Sequence, residues 1–198
     1  MRSYFMRTSH LGFGTWAPDD LGLAMGLWGD ARVTRLIGGP FSLGWVRDRL
    51  AREMSTQAAF RFQYWPIFRL SDDAHLGCCR IRPVPGKNDV LELGFHLGGE
   101  QWVQGFATEA ASAVINYAFA TLEAVALVAG HHPQNEASRH VLQRLGFRFT
   151  HDEFYAPTGL DHHSYALAAG ETAPGSSGAA GLRRTARNQR WPACAGTG

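Results

Sequence analysis

Residues 91–111 read LELGFHLGGEQWVQGFATEAA. An apolar strand runs into the pair Gly98 and Gly99, a short polar turn follows, and Gly105 and Ala107 open a long helix. Small residues let a ligand approach the backbone, and the first N–H groups of a helix point outward without partners inside the helix. The stretch therefore predicts an anion-binding turn that suits a diphosphate. The alternative is an ordinary strand-to-helix turn whose glycines serve geometry only.

The turn matches neither of two common phosphate motifs. It is not GxGxxG and it is not GxxxxGK[ST], so neither a dinucleotide-binding Rossmann site nor a P-loop is supported.

A second helix start follows the next buried strand. Residues 131–147 read HHPQNEASRHVLQRLGF. Asn135 can cap this helix, Ser138 lies one turn on, and Gly146 is a typical left-handed end residue. Because ligands in such sheets favour the crevice beyond the carboxyl ends of strands, the two helix starts predict one shared site.

The remaining elements indicate a mixed α/β sheet. Residues 60–97 contain three strands separated by turns, which is an antiparallel meander. The chain then alternates helix, strand, helix and two closing strands. The pattern predicts one domain over residues 1–169.

The last residues differ in composition from this domain. Residues 170–198 are rich in Ala, Gly and Arg and poor in large apolar residues, which predicts a disordered tail. Residues 1–170 carry 15 basic and 16 acidic side chains, whereas the last 28 residues carry four arginines and one glutamate. A near-neutral body argues against a nucleic-acid-binding domain, although the arginines could form an RNA-contacting arm.

Composition also predicts the compartment and argues against a structural metal. No run of about 18 apolar residues predicts a membrane span, and the N-terminus lacks the pattern of a signal peptide. Cys78 and Cys79 lie in an apolar run, Cys194 lies in the tail, and no CxxC is present. The sequence therefore predicts a cytoplasmic protein with no metal and no membrane partner.

Taken together, the chain resembles the RimJ/RimL type of GNAT-superfamily N-acetyltransferases over roughly residues 10–168. Motifs with the family's order and separation carry the resemblance: Glu92-Leu93-Gly94-Phe95, Gly105-Phe106-Ala107-Thr108-Glu109-Ala110, Asn135-x-x-Ser138-x-x-Val141-Leu142-x-x-Leu145-Gly146-Phe147, and Asp161-His162-His163-Ser164-Tyr165.

The resemblance implies the GNAT fold. Its central sheet of about six to seven mostly antiparallel strands is flanked by helices, and a splayed strand pair forms the acetyl-CoA crevice. It further implies acetyl transfer to a primary amine by direct attack through a tetrahedral intermediate. The implied cofactor-binding residues are Phe95, His96 and Leu97 for pantetheine, Gln104, Gly105, Phe106, Ala107 and Thr108 for pyrophosphate, and Asn135 and Ser138 near the pantetheine arm.

Two positions depart from the superfamily. Val103 replaces a glycine that is common in the pyrophosphate loop, which predicts a stiffer loop. Leu142 occupies the place of a tyrosine that protonates the leaving thiolate, and the resemblance suggests Ser138 as its substitute. The alternative for Ser138 is a purely capping role.

The general base has two candidates. Glu92 lies on the cofactor strand beside the crevice, and the alternative for it is a solvated sheet carboxylate. His132 could also accept a proton, although a role for His131 and His132 in turn geometry and solvent contact is the simpler interpretation.

The acceptor predicted first is a protein or peptide N-terminus. The alternatives are a small amine (a polyamine, an aminoglycoside or an amino-acid-like amine) and a non-catalytic acetyl-CoA-binding module. No nucleic-acid partner is expected, and both a monomer and a homodimer are compatible with the sequence.

Overall fold

The computed structural model of the protein describes residues 2–87 and 89–171. Apart from Gly170 and Glu171, the predicted disordered tail, with its arginines and Cys194, lies outside the described residues. None of the helices in the described ranges is long and apolar enough to cross a membrane.

In the described ranges the chain forms one eight-stranded sheet with the order β1-β2-β3-β4-β5-β6-β8-β7. The strands are β1 Met6–Arg7, β2 Leu11–Phe13, β3 Tyr64–Arg69, β4 His75–Pro83, β5 Val90–Leu97, β6 Ala126–His131, β7 Arg148–Tyr155 and β8 Leu160–Ala168. Only β5 and β6 pair in parallel. The predicted mixed, mostly antiparallel sheet is thus confirmed, and the strand beyond the expected six to seven is the two-residue β1.

Helices lie between these strands along the chain. They are α1 Leu21–Trp28, α2 Ala31–Thr34, α3 Leu43–Phe60, α4 Phe106–Ala120 and α5 Glu136–Arg144, with 3-10 turns at Pro18–Asp20 and Gly99–Gln101. As predicted, Gly146 stops α5: it follows the helix end in the left-handed conformation, with a φ of 91°. The N–H of Gly146 donates to Gln143 O at 3.1 Å and the N–H of Phe147 donates to Leu142 O at 3.0 Å, which together form a Schellman motif.

Two apolar clusters cover opposite faces of the sheet. On one face, α4 buries Ala110, Ala111 and Val114 against the strands, because apolar residues at helical spacing form one face. On the other face, α1 and α3 pack with Tyr64 and Cys78. Cys79 belongs to the α4 side, so the adjacent cysteines point to opposite faces, and both are buried as predicted.

The sheet opens between β5 and β6. The two strands pair only at Val90↔Ala126, Leu91↔Leu127 and Glu92↔Val128. The rest of β5 stays paired with β4 on its other side, as far as Leu97 opposite Gly77. Beyond Glu92, β5 therefore has one edge with no strand of the described ranges beside it, and this confirms the splayed pair.

Gly77 provides a test of how tightly β4 holds β5. Its φ is 146°, and an added Cβ would lie 2.1 Å from the carbonyl oxygen of His96 and 2.8 Å from Cα of Leu97. Gly77→Ala must therefore displace the β5 backbone, and we expect a loss of about 2–3 kcal/mol in the free energy of unfolding, measured by urea denaturation. Gly22→Ala in α1 is the control, because its Cβ would meet nothing within 4 Å and alanine favours a helix. Equal urea midpoints for the two variants would contradict this account.

Candidate functional site

The predicted anion-binding turn is the open N-terminus of α4. Gly105 caps the helix with a φ of 85°, and the N–H of Glu109 makes the first helical bond, to Gly105 O at 3.1 Å. The N–H groups of residues 106–108 precede that bond, and an α-helix leaves such groups without partners of its own. A Cβ at Gly105 would meet nothing within 4 Å, so the turn has room for an anion.

Hydrogen bonds from both sides hold the turn in place. The indole Nε1 of Trp102 donates to Leu97 O at 3.0 Å, and the amide of Gln104 donates to Glu100 O at 2.8 Å. Arg32 forms an ion pair with Glu100 at 2.8 Å. The side-chain amide of Gln104 is thus bound within the turn, which leaves its backbone N–H as the group that a ligand could meet.

Val103 has a left-handed backbone, with a φ of 56°, and its side chain is fully exposed. This conformation costs a residue with a Cβ about 1–2 kcal/mol, and it is unusual for a β-branched residue. Val103 thus occupies a conformation that glycine adopts without strain, which accounts for glycine being common at this place in the superfamily pattern.

The three predicted pantetheine-binding residues lie in the open half of β5. Phe95 and Leu97 face the α4 cluster, and Leu97 is buried. His96 lies on the opposite face, where its ring stacks on Tyr64 with centroids 4.9 Å apart. Among residues 2–87 and 89–171, neither β6 nor any other strand pairs with this part of β5 on the crevice side, so its outer backbone groups can bind an extended arm.

At the start of α5, Asn135 and Ser138 have different roles. The Asn135 Oδ1 accepts from the N–H of Ser138 at 3.0 Å, which confirms Asn135 as the cap. Ser138 contributes only its backbone N–H to that cap. Within the described ranges its hydroxyl makes no hydrogen bond to another protein group, so the hydroxyl is available to a ligand. Leu142, where the superfamily often has tyrosine, is buried in the core.

The two helix starts lie at one end of the sheet. β5 precedes α4 and β6 precedes α5, and β5 and β6 run parallel. The carboxyl ends of parallel neighbours meet at the same edge of a sheet. The structure therefore brings together the turn before α4, the open half of β5 and the start of α5.

Glu92 is held by two arginines at the inner end of the crevice. It forms an ion pair with Arg80 and a second with Arg82 at 2.7 Å. Burial alone would raise the pKa of Glu92, but the two guanidinium groups hold it below its ordinary value. This geometry keeps the carboxylate charged and disfavours proton acceptance.

The expectation that His131 and His132 contact solvent is wrong, since both are buried. His131 stacks on Tyr165 with ring centroids 5.1 Å apart, in the core beneath α5. The Nδ1 of His132 accepts from the N–H of Gln134 at 3.0 Å, which agrees with the predicted role in turn geometry. Over the described residues, no group of three or more His, Cys, Asp or Glu side chains could hold a metal ion.

Trp28 and Tyr64 form an aromatic wall beside β5 whose place the sequence did not predict. Trp28 and Tyr64 lie far from β5 in the chain, and their contacts with it form only on folding. One signal was present: a glycine inside a strand often marks a close approach. A Cβ at Gly94 would lie 2.7 Å from the hydroxyl of Tyr64, so Gly94 makes room for that phenol.

Solved structures share this architecture. A GNAT-family acetyltransferase from Bacillus anthracis superposes with a TM-score of 0.73 at 20% identity, covering 82% of this chain and 97% of that one. The ribosomal L7/L12 α-N-protein acetyltransferase RimL gives 0.72 at 15% identity, covering 85% and 96%. The microcin C7 self-immunity acetyltransferase MccE, in complex with acetyl-CoA and AMP, gives 0.70 at 14% identity, covering 82% and 94%. At these identities the likeness establishes the fold.

Sequence comparison establishes the family. The chain is 28% identical over 123 residues to the uncharacterized N-acetyltransferase p20 of Bacillus licheniformis, covering 61% of this chain and 69% of that one. It is 31% identical over 84 residues to the uncharacterized N-acetyltransferase YoaA of Bacillus subtilis, covering 42% and 48%. Residues 10–148, more than half of the chain, match the acetyltransferase (GNAT) domain. The open strand edge and the two helix starts thus belong to a member of the GNAT family, an acetyl-CoA-dependent acyltransferase that acts on amines.

Proposed function

We propose that this acetyltransferase modifies the primary amine of a protein or peptide N-terminus. The observation that carries the proposal is the open edge of β5 beyond Glu92, which leads to the free N-terminus of α4. Such a groove suits an extended arm that ends in a diphosphate. Proteins of this fold include RimL, a ribosomal L7/L12 α-N-protein acetyltransferase, and a ribosomal-protein-S5-alanine acetyltransferase from Vibrio fischeri, and both support a protein acceptor.

The residues present fit acetyl-CoA, which when bound supplies an acetyl group activated as a thioester. The N–H groups of residues 104–108 would hold the pyrophosphate, because the macrodipole of the helix and its free donors favour an anion. The backbone of residues 95–97 would pair with the pantetheine arm, and a strand N–H there could donate to an oxyanion. Asn135 would keep the start of α5 in place beside the arm.

Ser138 is proposed as the hydroxyl that donates to the departing thiolate. Its Oγ is free of the cap that Asn135 forms, and a thiolate leaves more readily when it receives a hydrogen bond or a proton.

We propose that Glu92 is not the general base but the charge partner of Arg80 and Arg82. Its ion pairs with Arg80 and Arg82 keep it ionised, so we propose that it fixes the two arginines at the crevice. The amine proton then leaves to water, because the unprotonated ring nitrogen of His132, the other candidate base, already accepts from the N–H of Gln134. The proposal places this chemistry in the cytoplasm, where acetyl-CoA is available.

Thiol release from acetyl-CoA with a panel of amines tests the function. We expect short peptides with a free N-terminus to be turned over faster than polyamines or aminoglycosides. Preference for a polyamine, an aminoglycoside or a free amino acid would favour the small-amine alternative. Tight CoA binding without turnover of any amine would favour a non-catalytic acetyl-CoA-binding module.

Ala107→Asp tests the anion site. The added carboxylate repels the pyrophosphate in the first turn of α4, so we expect the Kd of acetyl-CoA to rise at least 10-fold by calorimetry. An acidic residue in the first helical turn favours the helix, but Ala107 also packs against the core, so the melting temperature of the variant is measured first and the Kd is determined well below it. Asn116→Asp adds the same charge at an exposed position of α4 and is expected to leave the Kd within about 2-fold. Equal affinities for the two variants would place the pyrophosphate elsewhere.

Ser138→Ala tests the hydroxyl. Because Asn135 caps the helix through a backbone N–H, we expect an unchanged melting temperature and a kcat that is about 10–100-fold lower, with the KM for acetyl-CoA nearly unchanged. Ser112→Ala, on the part of α4 that faces residues 6–10, is the matched control. An unchanged kcat in Ser138→Ala would leave the serine with a structural role alone.

Glu92→Gln tests the ion pairs. Removing the charge leaves Arg80 without its partner, so we expect a loss of about 2–4 kcal/mol in unfolding free energy at pH 7. Because folding lowers the pKa of Glu92, the stabilisation is complete above the ordinary value of 4.5 and is lost as pH falls through the lower folded value. The difference between variant and wild type should therefore shrink in acid, as measured by urea titrations at several pH values.

The control for this series is Glu136→Gln, which removes an exposed pair with Arg139 and should cost about 0.5 kcal/mol or less. A pH-independent effect of Glu92→Gln would contradict the ion-pair assignment.

A further inference from the structure

The imidazole of His96 lies on the wall of the crevice that faces away from α4. Along β5, Glu92, Gly94 and His96 share one face, because side chains alternate in a strand. His96 lies beyond the last β5–β6 pair, where the strand edge is open. Its side chain therefore projects from the part of β5 along which an acetyl group would be held.

Two aromatic neighbours fix the orientation of the ring. The Nε1 of Trp28 donates to His96 Nδ1 at 3.2 Å, and Trp28 is itself buried. The ring stacks on Tyr64 at an interplanar angle of 21°. A ring nitrogen that accepts a hydrogen bond carries no proton, so the proton of the neutral imidazole lies on Nε2. Within the described part of the chain, Nε2 makes no hydrogen bond.

The surroundings of His96 keep the ring neutral. Burial, followed by the charges of Arg49 and Arg80, lowers the pKa of His96 to about 3. The ring is therefore unprotonated near neutral pH and cannot serve as a base there, since so low a pKa leaves it little affinity for a proton. It remains a hydrogen-bond donor through Nε2.

The charged groups that act on the ring are the guanidinium groups of Arg49 and Arg80. Arg49 pairs with Glu53 at 2.6 Å, whereas Arg80 and Arg82 share Glu92. The guanidinium carbons of Arg49 and Arg80 lie 5.0 and 4.4 Å from the Tyr64 ring centroid. Because Arg80 shares its carboxylate partner with Arg82, its charge is not fully neutralised, and this favours an oxygen with partial or full negative charge near the ring and disfavours a second cation.

We propose that His96 is a substrate-positioning residue whose Nε2–H donates to an oxygen next to the acceptor amine. The substrate class is then an amine with an adjacent carbonyl or carboxylate oxygen, as in an α-aminoacyl group, rather than a plain alkylamine or polyamine. This assignment rests on the proposed acetyltransferase function and restricts the range of amines that can be acceptors.

The experiment compares alaninamide, which has an oxygen beside its amine, with butylamine, which has none. His96→Phe keeps the stacked ring and removes the donor, so we expect kcat/KM for alaninamide to fall about 10-fold, with the KM for acetyl-CoA unchanged. His96→Gln places an amide N–H near the position of Nε2 and should restore most of the loss. The same substitutions at the exposed His140 are the matched controls.

For butylamine, His96→Phe and the wild type should agree within about 2-fold, or neither should turn it over. Equal losses for both amines, or no rescue by His96→Gln in a variant that melts like the wild type, would overturn the assignment. No turnover of any amine by the wild type would instead count against the proposed function.

A readout without turnover tests the tautomer. In the ¹⁵N-labelled full chain, the His96 signals, assigned by their loss in His96→Gln, should show a proton on Nε2 and no titration between about pH 5 and 8. Titration near the ordinary histidine pKa, or a proton on Nδ1, would overturn the proposal whatever the activity.

Discussion

The site depends on the divergence of two parallel strands. β5 and β6 pair at three positions and separate after Glu92, while β4 continues to hold the other edge of β5 as far as Leu97. A buried strand edge without partners would leave backbone N–H and C=O groups unsatisfied. The edge therefore has to face water or a ligand, and an extended arm with amide groups of its own meets that requirement.

The two faces of the sheet supply different chemistry to this opening. On one side, α4 and α5 begin at the carboxyl ends of β5 and β6 and offer backbone N–H groups and the hydroxyl of Ser138. On the other side, α1 and α3 bring Trp28 and Arg49 over β5 and form a wall of aromatic rings and guanidinium groups. In the proposed binding mode, mainly uncharged donors hold the cofactor, so the near-neutral charge of the body says little about its affinity for an anion. The same proposal assigns the charged wall to the acceptor.

The local predictions were the most accurate, and they concern features that a few adjacent residues decide. The Asn135 cap, the left-handed Gly146 and the glycine that opens α4 follow from backbone conformations and short-range hydrogen bonds, and each is present. The predicted solvent contact of His131 and His132 failed because burial depends on which strands lie alongside, here β8 with Tyr165. Val103 was predicted only in part. The sequence indicated a stiffer loop, and the structure shows that the valine has a left-handed backbone.

By itself the sequence determined the order of strands and helices from residue 60 onward, the two helix starts and the family. These depend on side-chain periodicity, on capping residues and on motifs a few residues long. Only the tertiary structure decided the state of the titratable groups. Glu92 is tied to Arg80 and Arg82 across neighbouring strands, and His96 is set by Trp28, which lies 68 residues earlier in the chain. A pKa and a tautomer depend on burial and on the nearest charges and donors, and distant parts of the chain supply these only when the sheet and its helices have packed.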